Sequence, residues 1–191
     1  MTIGIFGGSF DPVHNGHVGI ARRAIAEFNL DRLLVIPAAV SPFKTDSAPK
    51  ALGYDRLELV RAAFADVPEA VVDDRELHRG GVSYSIVTVR EVAAEYPEAD
   101  IIFLVGEDSV AGLPRWKNYD ELVKLCTFRS FPRTRESSTE VRRRLLAGES
   151  IADLVPPAVH ALIRRQGSFR RRRGTNLWYN RVILDAKEGR V

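Results

Sequence analysis

The sequence predicts an α/β fold in which a parallel sheet carries helices on both faces, with a short helical C-terminal part. Apolar stretches of strand length alternate along the chain with segments of helical period. Such alternation requires crossover connections between parallel strands, and these place helices on both faces of the sheet. With 191 residues, 45% of them apolar, the chain can fill one domain, and we do not expect a second full domain. The predicted architecture is therefore a single Rossmann-like domain.

Individual elements follow from the same patterns. The predicted strands are residues 2–6, 33–36, 70–72, 101–105 and 126–131. The predicted helices are residues 16–28, 54–65, 83–95 and 119–125, one from Ser137 or Ser138 to Gly148, and one from Pro156-Pro157 to Gly167. Residues 38–53 are predicted as a long loop, where function often lies. We assign residues 1–167 to the domain and residues 168–191 to a basic tail without a predicted structure.

Composition limits the functions open to the chain. A single cysteine, Cys126, excludes an internal disulfide and a metal site built from cysteines. No apolar stretch approaches the roughly 20 residues of a membrane-spanning helix, and no basic leader precedes an apolar run at the N-terminus. We therefore expect a cytoplasmic protein with no membrane partner. Homo-oligomerisation is left open.

The net charge of +3 conceals an uneven distribution. Residues 1–128 hold 13 Lys and Arg against 19 Asp and Glu, whereas residues 129–173 hold 12 Arg against four acidic residues. A basic stretch suits a polyanionic ligand, either nucleotide phosphates or a nucleic-acid backbone. It is also typical of a solvated helix face, the interpretation that we prefer for most of these arginines. No recognisable nucleic-acid module accompanies the stretch, so a nucleic-acid partner is disfavoured.

The strongest functional signal is the segment Gly7-Gly8-Ser9-Phe10-Asp11-Pro12-Val13-His14-Asn15-Gly16-His17. It joins the first predicted strand to the first predicted helix. The two glycines let the backbone approach a ligand closely, and Asp11-Pro12 favours a turn. His14 and His17 are three residues apart at a helix start, where free N–H groups and the helix dipole favour anions. We predict a phosphate-binding site here.

This segment resembles the signature of nucleotidyltransferases that carry a His-x-Gly-His tetrapeptide. Its full form resembles the bacterial nicotinate mononucleotide adenylyltransferase family in particular, over residues 3–167. Further matches to that family occur in order along the chain. They are Lys44 in the loop after the second strand, Tyr54-Asp55-Arg56, Glu76 with Gly81-Val82-Ser83-Tyr84-Ser85, Gly106-Glu107-Asp108, Leu113-Pro114-Arg115-Trp116 and Ser137-Ser138-Thr139-Glu140-Val141-Arg142.

The resemblance implies transfer of AMP from ATP to nicotinate mononucleotide, a step of NAD biosynthesis. It implies a catalytic role in holding the triphosphate for His14, His17 and Arg142. The ATP-binding residues that it implies are Gly7, Gly8, Ser9, Phe10, Lys44, Gly106, Asp108, Ser138 and Thr139. The mononucleotide-binding residues that it implies are Tyr84, Ser85, Arg115 and Trp116, with the indole stacked on the pyridine ring. ATP is the implied co-substrate and Mg2+ an ion bound to the substrate, with no metal held by the protein alone.

Four departures from the family pattern are visible. Ser85 replaces a threonine, Val87 stands where an acidic residue is common, and Phe43 stands where histidine often precedes the loop lysine. The largest departure is the short stretch 129–136, where the family usually has a loop and another strand. Either the sheet is one element short, or the strand at residues 126–131 takes the place of two elements.

Several alternatives stay open at this level. Asp108 could cap a short helix, Trp116 could belong to the core, and Arg56 could be a surface residue. The nearest rival function is that of a phosphopantetheine adenylyltransferase or a cytidylyltransferase. A rival of another class is a non-catalytic or nucleic-acid-binding homologue that uses the arginine-rich stretch.

Overall fold

Five parallel strands form one sheet in the part of the chain that the structure describes, residues 1–42 and 51–166 of a computed structural model. The strands are β1 Thr2–Gly8, β2 Arg32–Pro37, β3 Ala70–Val72, β4 Asp100–Gly106 and β5 Thr127–Phe131, in the spatial order β3-β2-β1-β4-β5. The chain runs outward from β1 to β3 and then returns to the other side of β1. Strand order thus reverses between β1 and β4, the place where open parallel sheets bind ligands.

Helices cover both faces of this sheet. They are α1 Asn15–Phe28, α2 Gly53–Phe64, α3 Arg75–Arg79, α4 Ser85–Glu95, α5 Glu107–Val110, α6 Tyr119–Leu125, α7 Ser138–Ala147 and α8 Pro157–Gln166, with a 3-10 turn at Leu113–Arg115. Helices α1, α2, α7 and α8 form a core with the face that carries Leu33 and Val35. Helices α4 and α6 form a second core with the face that carries Ile5 and Phe103. The predicted fold class, including the short helical C-terminal part, is confirmed.

The start of α4 differs from the prediction, which placed it at Ser83. In the structure Ser83 lies outside the helix, and its N–H donates to the carbonyl of Val40 at 2.8 Å. Its neighbour Val82 forms a parallel bridge with Val40. The Ser83 hydroxyl also accepts from the N–H of Ala39 at 3.0 Å. Because these bonds tie the residue to the chain after β2, the helix begins only at Ser85.

Three short elements were not predicted from the sequence. Helices α3 and α5 have five and four residues, and the 3-10 turn has three. Helical period becomes visible only over windows of roughly 11 to 18 residues, so these elements leave no pattern in the sequence. All three lie close to the carboxyl edge of the sheet and contribute residues to its ligand side.

One strand, β5, occupies the region for which the sequence left two arrangements open. It pairs with β4 and ends the sheet within the described residues. Residues 132–137 then lead directly into α7.

Among the helices of the described residues, none is long and apolar enough to cross a bilayer.

Arginines of α7 take part in ion pairs on the outer face of the helix. Arg143 contacts Glu140 and Glu149, each at 2.8 Å, and Arg144 contacts Asp153 at 2.7 Å. Exposed pairs of this kind contribute little to stability, but they satisfy the charges locally. For these residues the structure supports the solvated helix face and not a polyanion site.

Candidate active site

Two imidazoles in close contact lie at the start of α1, just beyond the carboxyl end of β1. The rings of His14 and His17 lie 3.7 Å apart between centroids. The backbone N–H of His14 donates to Nδ1 of His17 at 3.1 Å. Because Nδ1 acts as an acceptor, a neutral His17 carries its proton on Nε2. The half-buried His17 ring therefore presents an N–H donor on its far side.

Phe10 supports the His17 ring from the preceding turn. Its φ angle of +44° lies in the left-handed region, which bulky residues rarely adopt. Its ring meets His17 edge-on at 4.9 Å and Phe6 at 5.6 Å between centroids. Only 2% of Phe10 is exposed. A ligand can therefore contact its backbone, while the side chain serves to orient His17.

The start of α7 docks on the same turn from the other side. The Ser138 hydroxyl donates to the carbonyl of Pro12 at 2.9 Å. The Arg142 guanidinium donates to the carbonyl of Asp11, and its other terminal nitrogen donates to the Thr139 hydroxyl at 3.3 Å. Residues that are far apart in sequence thus converge on Asp11-Pro12. The structure brings His14, His17 and Arg142 to one place.

Ser137, and not Ser138, caps α7. The Ser137 hydroxyl accepts the N–H of Glu140 at 3.1 Å, the usual contact of a helix N-cap. The Ser138 hydroxyl points instead to the turn at Pro12. The sequence left the first residue of this helix open between the two serines. In the structure Ser137 caps the start of the helix, and Ser138 joins the helix to the histidine segment.

Burial lowers the pKa of His14 from 6.5 to about 4, against an opposing effect of the Glu136 carboxylate. The residue is only 7% exposed, so its charged form would lose most of its hydration. His14 is therefore neutral at physiological pH. A neutral imidazole can still donate one N–H to a phosphate oxygen.

The shifted pKa of His14 has a measurable effect on stability. Between pH 6.5 and pH 4 the unfolded chain binds a proton at His14 that the folded protein does not. The contribution is fully present above pH 6.5 and is lost as the pH falls through this window. We expect the free energy of unfolding to fall by up to about 3 kcal/mol from this group. Urea unfolding at pH 7 and at roughly pH 4.5 measures the loss.

The matched comparison for this loss is His14→Gln against His78→Gln. The His78 side chain is 78% exposed, so its replacement should leave the pH dependence of stability almost unchanged. In His14→Gln the free energy of unfolding should depend less steeply on pH. An equally steep pH dependence in both variants would contradict the assignment of the shift to His14.

A cleft of about 710 Å³ opens between the carboxyl ends of β1 and β4. Its volume lies within the range of small-molecule and cofactor sites. Predicted site residues form a large part of its lining: Gly7, Gly8, Ser9, Tyr84, Ser85, Gly106, Asp108, Arg115 and Trp116. The histidine pair, which follows Ser9 along the chain, lies outside this lining. The start of α7 also lies outside it and contacts the same turn at Asp11-Pro12. The cleft and the histidine pair lie along one edge of the sheet, together with those predicted ATP and mononucleotide residues that the structure describes.

Trp116 is both a packing residue and part of the cleft wall. Its indole meets Phe103 at 5.8 Å and Phe128 at 5.9 Å between centroids, both edge-on. It is half-buried, and the adjoining Lys117 ammonium lies 4.3 Å above the Tyr84 ring. The core packing holds the indole in one orientation while part of its surface faces the cleft. The sequence alternatives of core and ligand contact are thus compatible.

Asp108 does not cap α5. Gly106 is the N-cap, and Asp108 lies exposed in the first turn. A Cβ atom on Gly106 would lie 2.6 Å from Asp108 Oδ1, so the carboxylate approaches the glycine backbone closely. The carboxylate remains open to the cleft, where it can accept hydrogen bonds from hydroxyl groups.

A buried carboxylate holds the far wall of the cleft. Glu76 is 6% exposed and accepts from the Thr88 hydroxyl at 2.5 Å. Burial raises its pKa, against the hydrogen bonds from the Thr88 and Ser83 hydroxyls. Since Ser83 also accepts from Ala39, Glu76 links α3, α4 and the chain after β2. The family match included Glu76 without a role, and its position explains how Tyr84 and Ser85 are held.

Arg56 is not a surface residue, and that alternative is wrong. It is 1% exposed, the largest fully buried side chain among the described residues. Its guanidinium donates to the carbonyl of Ser9 at 2.5 Å and to that of Ala38 at 2.7 Å. It therefore ties the turn after β1 to the chain after β2. Sequence alone favours exposure for arginine, and only long-range contacts reveal this burial.

Lys44 and Phe43, which precede α2 in the sequence, lie outside the described residues. The predicted tail, residues 168–191, lies outside them as well. Both assignments stay predictions.

Comparison with known proteins identifies the class of this fold and site. Residues 5–160 match the family model described as Cytidylyltransferase-like. The chain therefore belongs to the cytidylyltransferase-like family.

Within that family, the curated relatives are more specific. The chain is 37% identical to a "probable nicotinate-nucleotide adenylyltransferase" of Gemmatimonas aurantiaca, with 89% of this chain and 93% of that protein covered. It is 38% identical to a protein of the same name from Shouchella clausii, with 87% and 96% covered. These matches place the chain with the nicotinate-nucleotide adenylyltransferases, and the predicted resemblance is confirmed.

Solved structures share the fold at lower identity. The Plasmodium falciparum nicotinic acid mononucleotide adenylyltransferase complexed with NaAD superposes with a TM-score of 0.72 at 15% identity. The match covers 88% of this chain and 97% of that chain. At this identity the likeness extends to the arrangement of strands and helices.

Proposed function

We propose that this chain transfers AMP from ATP to nicotinate mononucleotide, forming nicotinate adenine dinucleotide and pyrophosphate. The observation that carries the proposal is the convergence of His14, His17 and Arg142 on the Asp11-Pro12 turn, beside a cleft of nucleotide size. A triphosphate requires hydrogen-bond donors and positive charge that reach it from more than one side. The family of the chain supports the choice of acceptor.

The reaction needs no nucleophile from the protein. An oxygen of the mononucleotide phosphate attacks the α-phosphorus of ATP. The bond from that phosphorus to the oxygen that bridges to the β-phosphorus breaks, and pyrophosphate leaves with the electron pair. Catalysis then consists of aligning the two phosphates and stabilising charge on the pentavalent species.

On the phosphate side, each residue contributes a donor. His17 offers Nε2–H, the neutral His14 offers one N–H, and Arg142 adds a permanent positive charge. At the start of α7, further donors are the backbone N–H groups of Ser138 and Thr139 and the Thr139 hydroxyl. Lys44 would add a second cation. The backbone of Gly7, Gly8, Ser9 and Phe10 would contact the nucleotide closely, and Gly106 and Asp108 would hold the adenosine ribose.

On the mononucleotide side, the start of α4 faces the cleft. Its N-cap is Tyr84, and within the described residues no side chain caps this helix start. The N–H groups near Ser85 can therefore donate hydrogen bonds to the anionic nicotinate carboxylate. Trp116 provides the face for the pyridine ring, and Arg115 provides charge for the mononucleotide phosphate.

Mg2+ is proposed to enter with the triphosphate. Among the described residues there is no group of three or more His, Cys, Asp or Glu side chains arranged to hold a metal ion. An ion bound mainly by phosphate oxygens and water fits this donor set, as Mg2+ usually keeps several waters. When bound, it would neutralise charge on the phosphates. The protein's part is to hold the phosphates through His17, Arg142 and Ser138.

The cytoplasmic location and a homo-oligomeric state stay predictions.

A substrate panel tests the proposed function. The full chain is incubated with ATP and Mg2+ and one acceptor at a time: nicotinate mononucleotide, nicotinamide mononucleotide or phosphopantetheine, with CTP in place of ATP as a further arm. We expect the fastest pyrophosphate release with ATP and nicotinate mononucleotide. Faster release with another pair would assign the chain to a different nucleotidyltransferase reaction. Salt-sensitive RNA binding without any pyrophosphate release would favour the nucleic-acid rival.

Replacing Trp116 should separate the two substrates kinetically. In Trp116→Ala the pyridine ring loses its stacking face, so KM for nicotinate mononucleotide should rise by roughly tenfold to a hundredfold. KM for ATP should change by less than about twofold. Trp116→Phe, which keeps an aromatic face, should recover most of the loss. Equal changes in both KM values would contradict the assignment of Trp116 to the mononucleotide.

A further inference from the structure

Asp11 is a buried carboxylate that sits at the centre of the convergence described above. It is 8% exposed. Its Oδ1 accepts from the backbone N–H of Ala51 at 3.1 Å. Its Oδ2 lies 3.8 Å from Nη1 of Arg142, and the same nitrogen donates to the Asp11 backbone carbonyl. Arg142 thus meets both the side chain and the main chain of one residue.

A second guanidinium lies close to the same carboxylate. Arg56 donates to the carbonyls of Ser9 and Ala38, which flank the Asp11 turn in space. Burial lowers the pKa of Arg56, and the negative charge of Asp11 opposes that effect. A buried carboxylate between two guanidinium groups is stable only when it is paired and hydrogen-bonded. The Asp11 carboxylate meets this requirement through the Ala51 N–H and the Arg142 guanidinium.

The position of Arg142 depends on what holds its long side chain. Its side chain is 21% exposed, so rotamers that turn toward solvent are open to it. Within the site it has the Asp11 carboxylate and carbonyl and the Thr139 hydroxyl as partners. The carboxylate supplies the charged partner in this set. Without the carboxylate, the guanidinium loses its charged partner and turns away from the histidine pair more easily.

We propose that Asp11 is a positioning residue for Arg142, holding the guanidinium beside His14 and His17 where the triphosphate is bound. This inference rests on the proposed function. Asp11 itself does not touch the substrate. The Asp11 carboxylate also accepts from the N–H of Ala51, which lies just before α2. One carboxylate therefore contacts both the segment before α2 and Arg142 of α7.

A double-mutant cycle tests whether Asp11 acts through Arg142. Asp11→Asn keeps an oxygen for the Ala51 N–H and removes the charge. We expect it to lower kcat/KM for ATP by about tenfold and to leave KM for nicotinate mononucleotide within about twofold. Arg142→Ala should lower kcat/KM for ATP by about a hundredfold. Adding Asp11→Asn to Arg142→Ala should then cause less than about a twofold further loss.

A control separates this link from general effects on α7. Asp153→Asn removes the carboxylate that pairs with Arg144 at 2.7 Å on the same helix, where the aspartate side chain is 63% exposed. It should leave kcat/KM for ATP unchanged. Circular dichroism and thermal unfolding establish that each variant is folded. Should Asp11→Asn not fold, Asp11→Ser takes its place in the cycle, since a hydroxyl can also accept the Ala51 N–H.

The outcomes distinguish the inference from the proposed function. If Arg142→Ala lowers kcat/KM and Asp11→Asn costs a further tenfold in that background, the inference is overturned while the phosphate site stands. A normal kcat/KM in Asp11→Asn overturns it as well, and so does failure of both Asp11 variants to fold, because the residue is then structural. If Arg142→Ala itself is fully active, the proposed phosphate site fails, and the inference with it.

Discussion

Replacing His17 by alanine is expected to lower kcat by roughly 10²- to 10³-fold while the protein stays folded. The Nε2–H of His17 is the donor that the structure directs away from the backbone, because Nδ1 is occupied by the His14 N–H. A donor fixed in place before the reaction stabilises charge as it develops on the phosphates. The variant loses one backbone hydrogen bond, which costs about 1 kcal/mol of stability and does not unfold a domain.

The control for His17→Ala is His78→Ala, an exposed histidine on α3. Pyrophosphate release at saturating ATP and nicotinate mononucleotide gives kcat for both. His78→Ala should be fully active, and His14→Ala should lose activity to a similar extent as His17→Ala. Near-normal turnover in His17→Ala, with a folded protein, would remove the histidine pair from the mechanism.

Gly16→Ala is expected to be the most destabilising small substitution near the site. A Cβ atom on Gly16 would lie 2.0 Å from Oγ1 and 2.8 Å from Cβ of Thr134, and 3.1 Å from Nδ1 of His14. The helix start cannot shift freely, because the N–H of Asn15 is bonded to the carbonyl of Leu154 at 2.8 Å. We expect a loss of about 2 to 3 kcal/mol in the free energy of unfolding. Displacement of His14 and of residues 132–137 should also lower turnover.

The same helix provides a matched control at Gly19. A Cβ atom there meets nothing within 4 Å. Gly19→Ala should raise the free energy of unfolding by up to about 1 kcal/mol, because alanine favours the helix. Urea unfolding and turnover are measured on both variants, and Thr134→Gly should partly restore Gly16→Ala. If Gly16→Ala and Gly19→Ala behaved alike, the close contact of Gly16 with Thr134 would be refuted.

Local patterns in the sequence were sufficient for the sheet and for the histidine segment. The predicted strand at residues 70–72 and the predicted helix at residues 119–125 have the same bounds in the structure. The histidine segment lies where it was expected, at the junction of β1 and α1. These features depend on neighbours within a few residues, so the chain itself records them. Short helices such as α3 and α5 cannot be recognised in this way, because contacts with distant parts of the chain determine them.

Contacts between distant parts of the chain could not be predicted. Asp11 was interpreted as a turn residue before a proline, yet its carboxylate accepts from the Ala51 N–H, 40 positions away, and pairs with Arg142, 131 positions away. Arg56 was open to interpretation as a surface residue, yet it is buried against carbonyls 47 and 18 positions away. Composition and period carry no record of such pairings. A match to a known family predicted which residues share the site, but not which of them hold one another in place.

The bond from the Ser138 hydroxyl to the Pro12 carbonyl spans 126 positions of the chain. A ribosome adds roughly 5 to 20 residues per second, so the histidine pair is made on the order of 6 to 25 s before the helix that faces it. Over that interval the nascent polypeptide can begin to order its early strands while only one half of the anion site exists. Truncated products that end before α7 should accordingly lack ATP turnover. Competence is acquired only after α7 has been synthesised.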